Sequence, residues 1–84
     1  MHCNYCGKQI KISQYKENNK WKSCPNCSKL NGIEHVYYEC PDMFGTTPAR
    51  ITPNNSTGIQ SHCKFCRSDR PVPANIKKRL CSDF

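Results

Sequence analysis

Eight cysteines are the residues of this 84-residue chain whose type and spacing are suited to chemistry. Six of them form three Cys-x-x-Cys doublets, which begin at Cys3, Cys24 and Cys63. Two intervening residues let the chain turn tightly enough to direct both thiolates at one metal ion. Seventeen residues separate the first doublet from the second, within the roughly 15–20 residues typical of one tetrahedral zinc site. The spacing therefore predicts a zinc ion bound by Cys3, Cys6, Cys24 and Cys27.

The cysteine content alone is typical of either a disulfide scaffold or a metal scaffold. The residues after Met1 lack the apolar core of a secretory signal. No apolar run approaches the ~20 residues that a membrane span needs. We therefore expect a cytoplasmic protein with reduced thiols, which favours metal over disulfides. A secreted, disulfide-rich protein whose leader has been removed is the alternative.

The remaining cysteines predict a second zinc site around the third doublet. Cys40 precedes this doublet by twenty-two intervening residues, and Cys81 follows it after fourteen. A chain this small needs such staples, because its hydrophobic core supplies little stability alone. Two alternatives stay open: His35 or His62 replaces Cys81, or the ligands pair crosswise between the two sites. The predicted second site consists of Cys40, Cys63, Cys66 and Cys81.

Residues 1–30 have the order of elements expected for a metal-bound hairpin. Apolar and polar residues alternate over 10–12, which is typical of a half-buried strand. Residues 17–19 have turn chemistry, and 20–23 are expected to form the returning strand. Trp21 is expected to cover the metal site together with Ile10 or Ile12. The predicted order is doublet, strand, turn, strand, doublet.

This amino-terminal pattern resembles the zinc-ribbon superfamily. The likeness rests on Cys-x-x-Cys-Gly-Lys at 3–8 and on Trp-Lys-Ser-Cys-Pro-Asn-Cys-Ser-Lys at 21–29, and it covers about 30 of the 84 residues. The pattern is particularly similar to short phage and bacterial ribbons such as the Com-type translational regulators, which bind messenger RNA. The resemblance implies a zinc-binding regulator of nucleic acid. Other zinc ribbons are parts of transcription factors and ribosomal proteins or contact only proteins, so function does not follow from the fold.

A second zinc-binding module is expected over residues 31–84. The Asn-Gly pair at 31–32 predicts a turn at the boundary. Residues 33–39 are rich in β-branched and aromatic side chains and predict a strand, and a shorter strand is expected near 49–52. Residues 74–81 are suited to a short helix. The expected fold class is a small metal-stabilised protein, mostly β, with an N-terminal zinc ribbon and a second zinc-finger module that ends in this helix.

The charge distribution favours nucleic acid as the partner. The formal net charge is +7, although two zinc ions bound by four thiolates each would lower it to +3. Both ends of the chain are basic and the middle is mildly acidic. Lysine and arginine neutralise phosphates, aromatic rings stack on unpaired bases, and no long recognition helix is evident, so single-stranded RNA or DNA is expected. The predicted contact residues are Lys8, Lys11, Lys20, Trp21, Lys22, Lys64, Arg67, Lys77, Lys78 and Arg79.

A protein-interaction adaptor that docks on the transcription or translation machinery is the competing class. The aromatic and apolar residues at 37–38 and 43–44 would suit a protein contact if they were exposed beside Glu39 and Asp42. Neither a membrane nor a small-molecule substrate is expected as a partner. The salt dependence of binding would separate nucleic-acid binding from this alternative.

A weaker likeness connects residues 24–67 with His-Asn-His nuclease fingers. That resemblance implies that His35 would be a general base, with Glu34 as its acidic neighbour. Gly58 occupies the position of the family's central asparagine, although Asn54 and Asn55 lie nearby, and no histidine follows the last doublet at the family's spacing. A thioredoxin-like redox role is also disfavoured, because it needs a βαβ context. We therefore expect binding and no catalysis.

Overall fold

The computed structural model of the protein describes residues 1–53 and 58–84. Four short strands form one antiparallel sheet in the order β1-β2-β3-β4. The strands are β1 (Tyr15–Lys16), β2 (Trp21–Ser23), β3 (Val36–Glu39) and β4 (Arg79–Leu80). Two short helices accompany them, α1 (Pro25–Asn31) and α2 (Lys64–Arg67), together with 3-10 turns at Pro48–Arg50 and Cys81–Asp83.

The hairpin of β1 and β2 forms where the sequence predicts a turn. Glu17, Asn18 and Asn19 all have positive φ angles, of 51°, 58° and 66°. Asparagine is among the residues that tolerate this left-handed region best. The Lys20 N–H donates to the carbonyl of Glu17 at 3.2 Å and closes the turn. The hairpin then aligns Lys16 with Trp21.

The sheet connects the two halves of the chain. Strand β3 pairs with β2, so that Ser23 lies opposite Tyr37, and with β4, so that Val36 lies opposite Leu80. The turn at 31–32 forms as predicted, since Gly32 ends α1 with a φ of 75°. Strands on either side of this predicted boundary between 1–30 and 31–84 nevertheless belong to one sheet, because β2 pairs with β3.

Alternating side chains divide the core between the two faces of the sheet. On one face, Tyr37 and Trp21 pack with Cys3, Ile10 and Cys81, and Phe84 covers them. On the other face, the buried residues are Val36, Tyr38, Met43 and Phe44, together with Cys24, Cys27 and Cys63. Each face therefore packs its aromatic side chains against cysteines.

The structure differs from the predicted elements at three places. Residues 10–12 form a turn rather than a strand, so that Ile10 is buried with Trp21 while Ile12 is half exposed. The strand expected near 49–52 is a 3-10 turn, in which Pro48 occupies the first position. Instead of the C-terminal helix over 74–81, the chain adds β4 to the sheet, because pairing with β3 buries Leu80 against the core. Strand pairing outweighs the propensity of a two-turn helix.

The apolar residues that would suit an exposed protein contact are interior. Tyr37 and Phe44 have no exposed surface, and Tyr38 and Met43 are at most 7% exposed. They form the two core layers and are not available to a partner. No helix in the described ranges is long and apolar enough to cross a bilayer.

Candidate metal centres

Two groups of four side chains lie close enough to hold one metal ion each. The histidine-containing cluster consists of Cys3, Cys6, His35 and Cys81, and the all-cysteine cluster consists of Cys24, Cys27, Cys63 and Cys66. Within each cluster, all potential ligand atoms lie within 4.8 Å of one another. All eight cysteines are free thiols, so neither cluster contains a disulfide. The two clusters lie on opposite faces of the sheet.

This grouping differs from the predicted partition of the cysteines. The first two doublets, predicted to share an ion, lie in different clusters. The second doublet instead joins the third, and the first joins His35 and Cys81. The crosswise pairing that the sequence left open is therefore the one observed. The cause is the sheet, since pairing of β3 with both β2 and β4 brings distant segments together over each face.

The all-cysteine cluster has the dimensions of a tetrahedral thiolate site. Its Sγ–Sγ distances are 3.4 Å between Cys27 and Cys66, 3.7 Å between Cys24 and Cys66, and 3.9 Å between Cys27 and Cys63. Tetrahedral Zn²⁺ with Zn–S bonds of about 2.3 Å places its sulfurs roughly 3.8 Å apart. A disulfide would require about 2.05 Å. The donor set and the spacing therefore fit a zinc ion.

The two doublets of this cluster have the same local structure. Cys24 directly precedes α1, and Cys63 directly precedes α2, while Cys27 and Cys66 lie within those helices. Both helices begin beside their first cysteine, so the two thiols of each doublet project to the same side. The Cys63 N–H and the Asn26 side-chain amide also point at sulfurs of the cluster, at 3.4 and 3.3 Å. Such N–H groups stabilise thiolates.

Ionisation of these thiols is strongly coupled. Hydrogen bonds from the Cys27 and Cys63 thiols lower the pKa of Cys24 well below its usual range. The hydrogen bond between Cys27 and Cys24 raises the pKa of Cys27. The hydrogen bond between Cys63 and Cys24 raises the pKa of Cys63 to about 11. Four thiolates at this distance repel one another, and a divalent cation removes that repulsion when it binds. The cluster is thus suited to a cation.

The histidine-containing cluster combines three thiols with one imidazole. His35 Nδ1 lies 3.5 Å from Cys6 Sγ, and the Cys6 N–H points at Cys3 Sγ at the same distance. Burial raises the pKa of Cys3, but hydrogen bonds from the backbone of Cys6, His35 and Tyr5, together with the His35 side chain, outweigh it and lower this pKa to about 6. Three thiolates and one imidazole are an established zinc donor set.

A backbone hydrogen bond fixes the ring of His35, as is common for metal-bound histidines. Its Nε2 lies 2.9 Å from the carbonyl oxygen of Gln9. Because a carbonyl only accepts hydrogen bonds, Nε2 carries the proton, and the lone pair is on Nδ1, which faces the thiols. A backbone carbonyl that fixes the ring in this way is typical of zinc ligands. His35 has no exposed surface, so its position is that of a ligand rather than of the general base that the nuclease resemblance implies.

Hydrogen bonds from the segment around His35 hold Cys81 in place. The Cys81 N–H donates to the carbonyl of His35 at 3.2 Å. The carboxylate of Glu34 accepts hydrogen bonds from the backbone N–H of Ser82 at 2.8 Å and from its hydroxyl at 3.2 Å. Burial raises the pKa of Cys81 to about 11, and the neighbouring Cys3 and Cys6 act in the same direction. Glu34 therefore anchors the turn that carries a ligand, in place of the acidic role that the nuclease resemblance implies.

Cys40 belongs to neither cluster. It is partly exposed and packs at the edge of the core that contains the all-cysteine cluster. Burial raises its pKa, which the nearby Lys22 partly opposes. Its predicted role as a zinc ligand is therefore not supported by its position, and His35 is the fourth donor instead.

Lys22 is buried, although the sequence predicted it to contact nucleic acid. It is 2% exposed, and Trp21 beside it is 8% exposed. Burial lowers the pKa of Lys22 to about 8, whereas the thiols of Cys24, Cys40 and Cys63 act in the opposite direction. Neither residue is available to bind a base or a phosphate, because alternation along β2 directs one side chain into each core.

The other predicted nucleic-acid contacts are at the surface. Arg79 has its donors occupied, because it pairs with Glu17 at 3.0 Å and lies over the rings of Phe84 and Trp21. Arg67 donates to the backbone carbonyls of Phe44 and His62. The remaining predicted contacts are exposed, namely Lys8, Lys11, Lys20, Lys64, Lys77 and Lys78.

Searches of protein-family models, curated proteins and solved structures found no match to this chain. From the sequence, His35 is an alternative to Cys81 as a ligand, whereas the structure places both residues in one cluster. His35 has no local spacing signal, because Cys6 is 29 residues away along the chain. Arg70 is not among the predicted contact residues, because no motif around it indicates that it borders a surface groove.

Proposed function

We propose that the protein binds two zinc ions, one in each cluster. The tetrahedral spacing of the four buried or half-buried sulfurs in the all-cysteine cluster carries this proposal. The His35 tautomer that Gln9 fixes supports the second site. Neither cluster has a surplus ligand or an open position, which is typical of structural rather than catalytic zinc.

Native mass spectrometry of the purified protein tests the metal proposal. We expect two zinc ions per chain and protection of Cys24, Cys27, Cys63, Cys66, Cys3, Cys6 and Cys81 from alkylation, with Cys40 alone reactive. Addition of a strong chelator should unfold the protein, because structural zinc supplies ~10 kcal/mol or more of folding free energy per site. Near-UV circular dichroism that survives chelation would contradict this proposal.

We propose further that the folded chain is a regulatory module that binds single-stranded nucleic acid, without chemistry of its own. The surface that supports this is the basic groove, which runs outside the all-cysteine cluster. It consists of two adjoining clefts of about 330 and 340 Å³ that share Cys27, Leu30, Pro71 and Val72, with Lys78 in one and both Asp69 and Arg70 in the other. Leu30 is 78% exposed.

The chemistry of the basic groove suits a nucleotide. Its apolar floor of Leu30 and Val72 can pack against the flat face of a base, and the cations at its two ends can reach the flanking phosphates. Beside it, Phe65 lies between Lys64, at 5.6 Å, and Arg70, at 5.4 Å. The α-helices of the described ranges have only seven and four residues, which disfavours major-groove readout and favours unpaired strands.

Fluorescence anisotropy with labelled single-stranded RNA and DNA tests this proposal. We expect binding that weakens with salt, with a slope of about −0.7 in log–log form for each phosphate contact. The double variant Arg70→Gln/Lys78→Gln should flatten this slope by roughly two contacts. The control variant Lys16→Gln/Arg50→Gln removes the same charge from positions that are outside the groove and outside the predicted contacts, and it should change the slope less. Absence of binding at low salt would overturn the proposal.

A base-dependent measurement separates the groove from general attraction. An oligonucleotide of abasic sugar-phosphate should bind more weakly than one with bases, because the apolar floor then has no partner. Leu30→Ser should remove that difference, whereas Ile51→Ser, at another exposed apolar position, should preserve it.

A protein-interaction adaptor is the second candidate. Exposed Leu30 and Ile33 at the end of α1 favour it, since both side chains are more than half exposed. In that case, one defined protein should bind with little dependence on salt, and Leu30→Ser should abolish its binding. Leu30→Ser thus distinguishes the two candidates. It should abolish protein binding if the chain is an adaptor, and it should remove the dependence on bases if the chain binds nucleic acid.

A further inference from the structure

Lys22 is the buried cation of the described chain. Its side chain is 2% exposed, in the middle of β2. The ion pair that the described residues form is the surface contact between Arg79 and Glu17, so no carboxylate neutralises Lys22. Burial of an uncompensated ammonium is strongly unfavourable. Negative charge nearby would therefore stabilise it.

The contacts of the Lys22 ammonium are fixed on several sides. Nζ donates to the carbonyl of Ser61 at 2.7 Å, to the hydroxyl of Ser13 at 3.2 Å and to the carbonyl of Ser23 at 3.4 Å. The ring of Phe44 lies 4.4 Å from Nζ. The ring of Tyr15 also lies near it, at 6.0 Å, so three acceptors and two rings hold the ammonium in place.

Two of these contacts connect the doublets of the all-cysteine cluster. Ser23 directly precedes Cys24, and Ser61 lies two residues before Cys63. The same ammonium therefore binds the backbone that leads into both doublets, which come from distant parts of the chain. It holds together the two halves of one metal site.

Zinc in this cluster would also supply the missing negative charge. One Zn²⁺ with four thiolates has a net charge of about −2, and the Lys22 ammonium interacts electrostatically with Cys24 and Cys63. The cluster and the ammonium share one buried core, where such charges are screened little.

We propose that Lys22 is the counter-cation and clamp of the all-cysteine cluster, and that it sets the zinc affinity of that site and protects its thiolates from electrophiles. The proposal rests on zinc binding at this cluster and is independent of nucleic-acid binding. Lys22 acts as a positioning residue, since it lies outside the ligand set. Removal of its charge should leave the thiolates more nucleophilic and the ion less tightly held.

Lys22→Met tests this, because methionine fills similar volume without the charge. Zinc transfer to a chromophoric chelator should show that one of the two ions is held about 10–100-fold more weakly, the range found for lost second-shell partners. Mass mapping of alkylated cysteines should place the faster reaction at Cys24, Cys27, Cys63 and Cys66, with the rate at Cys3, Cys6 and Cys81 unchanged. Lys22→Arg should restore most of the affinity, and Lys16→Met, at a partly exposed position on β1, should behave as wild type.

Several outcomes would overturn the proposal. Equal weakening of both ions in Lys22→Met would indicate a general packing role, and unchanged affinity would show that the charge is irrelevant. If Lys22→Met does not fold, Lys22→Arg decides the matter, because loss of the all-cysteine ion in this charge-conserving variant would contradict a counter-cation. A chain that binds no zinc at all would overturn the metal proposal itself, independently of Lys22.

Discussion

The two candidate metal centres differ in how they limit buried negative charge. The all-cysteine cluster has four thiols and a buried lysine beside it. The histidine-containing cluster replaces one thiol with the neutral imidazole of His35, and no lysine or arginine in the described ranges is buried near it. A zinc ion there would have a net charge of about −1 rather than −2. The all-cysteine cluster thus has a lysine that offsets its charge, whereas the histidine-containing cluster has one thiolate fewer.

They differ also in what holds the ligands in place. Two helices that begin directly after Cys24 and Cys63 preorganise the all-cysteine cluster locally. The histidine-containing cluster instead draws its ligands from three separate segments: the first doublet, His35 directly before β3, and Cys81 directly after β4. Its geometry depends on long-range contacts such as that between Glu34 and Ser82. We therefore expect this site to open more easily.

The strongest test of the comparison removes single sulfurs. Cys81→Ser should lower the zinc content from two ions to one and unfold much of the chain, because structural zinc contributes ~10 kcal/mol or more. Cys40→Ser is the matched control and should keep both ions. Native mass spectrometry and near-UV circular dichroism measure the two effects. Loss of an ion in the Cys40 variant would instead restore the partition predicted from the sequence.

Aromatic truncations on the two faces should be unequal. Phe44→Ala removes a ring with no exposed surface beside the all-cysteine cluster, so it should cost about 3–5 kcal/mol. Phe84→Ala removes a half-buried ring that contacts Tyr37 at 5.0 Å and Trp21 at 6.1 Å, and should cost about 1–2 kcal/mol. Urea unfolding of the zinc-loaded variants measures both. Equal losses would mean that the two faces contribute alike.

His35→Cys should convert the histidine-containing cluster into a second all-cysteine cluster, but one without a buried lysine beside it. Four thiolates would then lie on the face that lacks a buried lysine, and the additional charge should weaken zinc binding about tenfold or more. Cobalt substitution should show two all-sulfur spectra in place of one. Tighter binding in this variant would show that charge does not distinguish the centres.

The smallest effect is expected at the surface ion pair. Glu17→Gln removes the ion pair between Arg79 and Glu17, whose half-exposed carboxylate lies in the β1–β2 turn. Such pairs contribute about 0.2–1 kcal/mol, and the stacking of Arg79 on Phe84 at 4.2 Å persists. Thermal unfolding at low and high salt measures the change, which should vanish at high salt. A large, salt-independent loss would mean that this pair positions the end of the chain.

The sequence predicted local chemistry better than long-range pairing. The doublets, the turn at 17–19 and the strand that becomes β3 follow from spacing and residue type within a few positions. The sharing of ions does not, because Cys24 and Cys63 lie 39 positions apart in the chain and meet only in the folded protein. Similarly, Lys22 is a lysine like the exposed Lys20, and only the alternation of side chains along β2 shows that it faces the core.

The interleaved order of ligands has a consequence during synthesis. A nascent chain that has reached residue 62 contains Cys3, Cys6, Cys24 and Cys27 at a spacing suited to one ion, and of their partners in the two clusters it contains only His35. We therefore expect early zinc capture in a transient non-native site, followed by ligand exchange when Cys63 and Cys81 emerge. A chain of residues 1–62 should bind one cobalt ion with an all-sulfur spectrum, and failure to do so would exclude this early capture. The last steps of folding would then be thiolate transfer between ions.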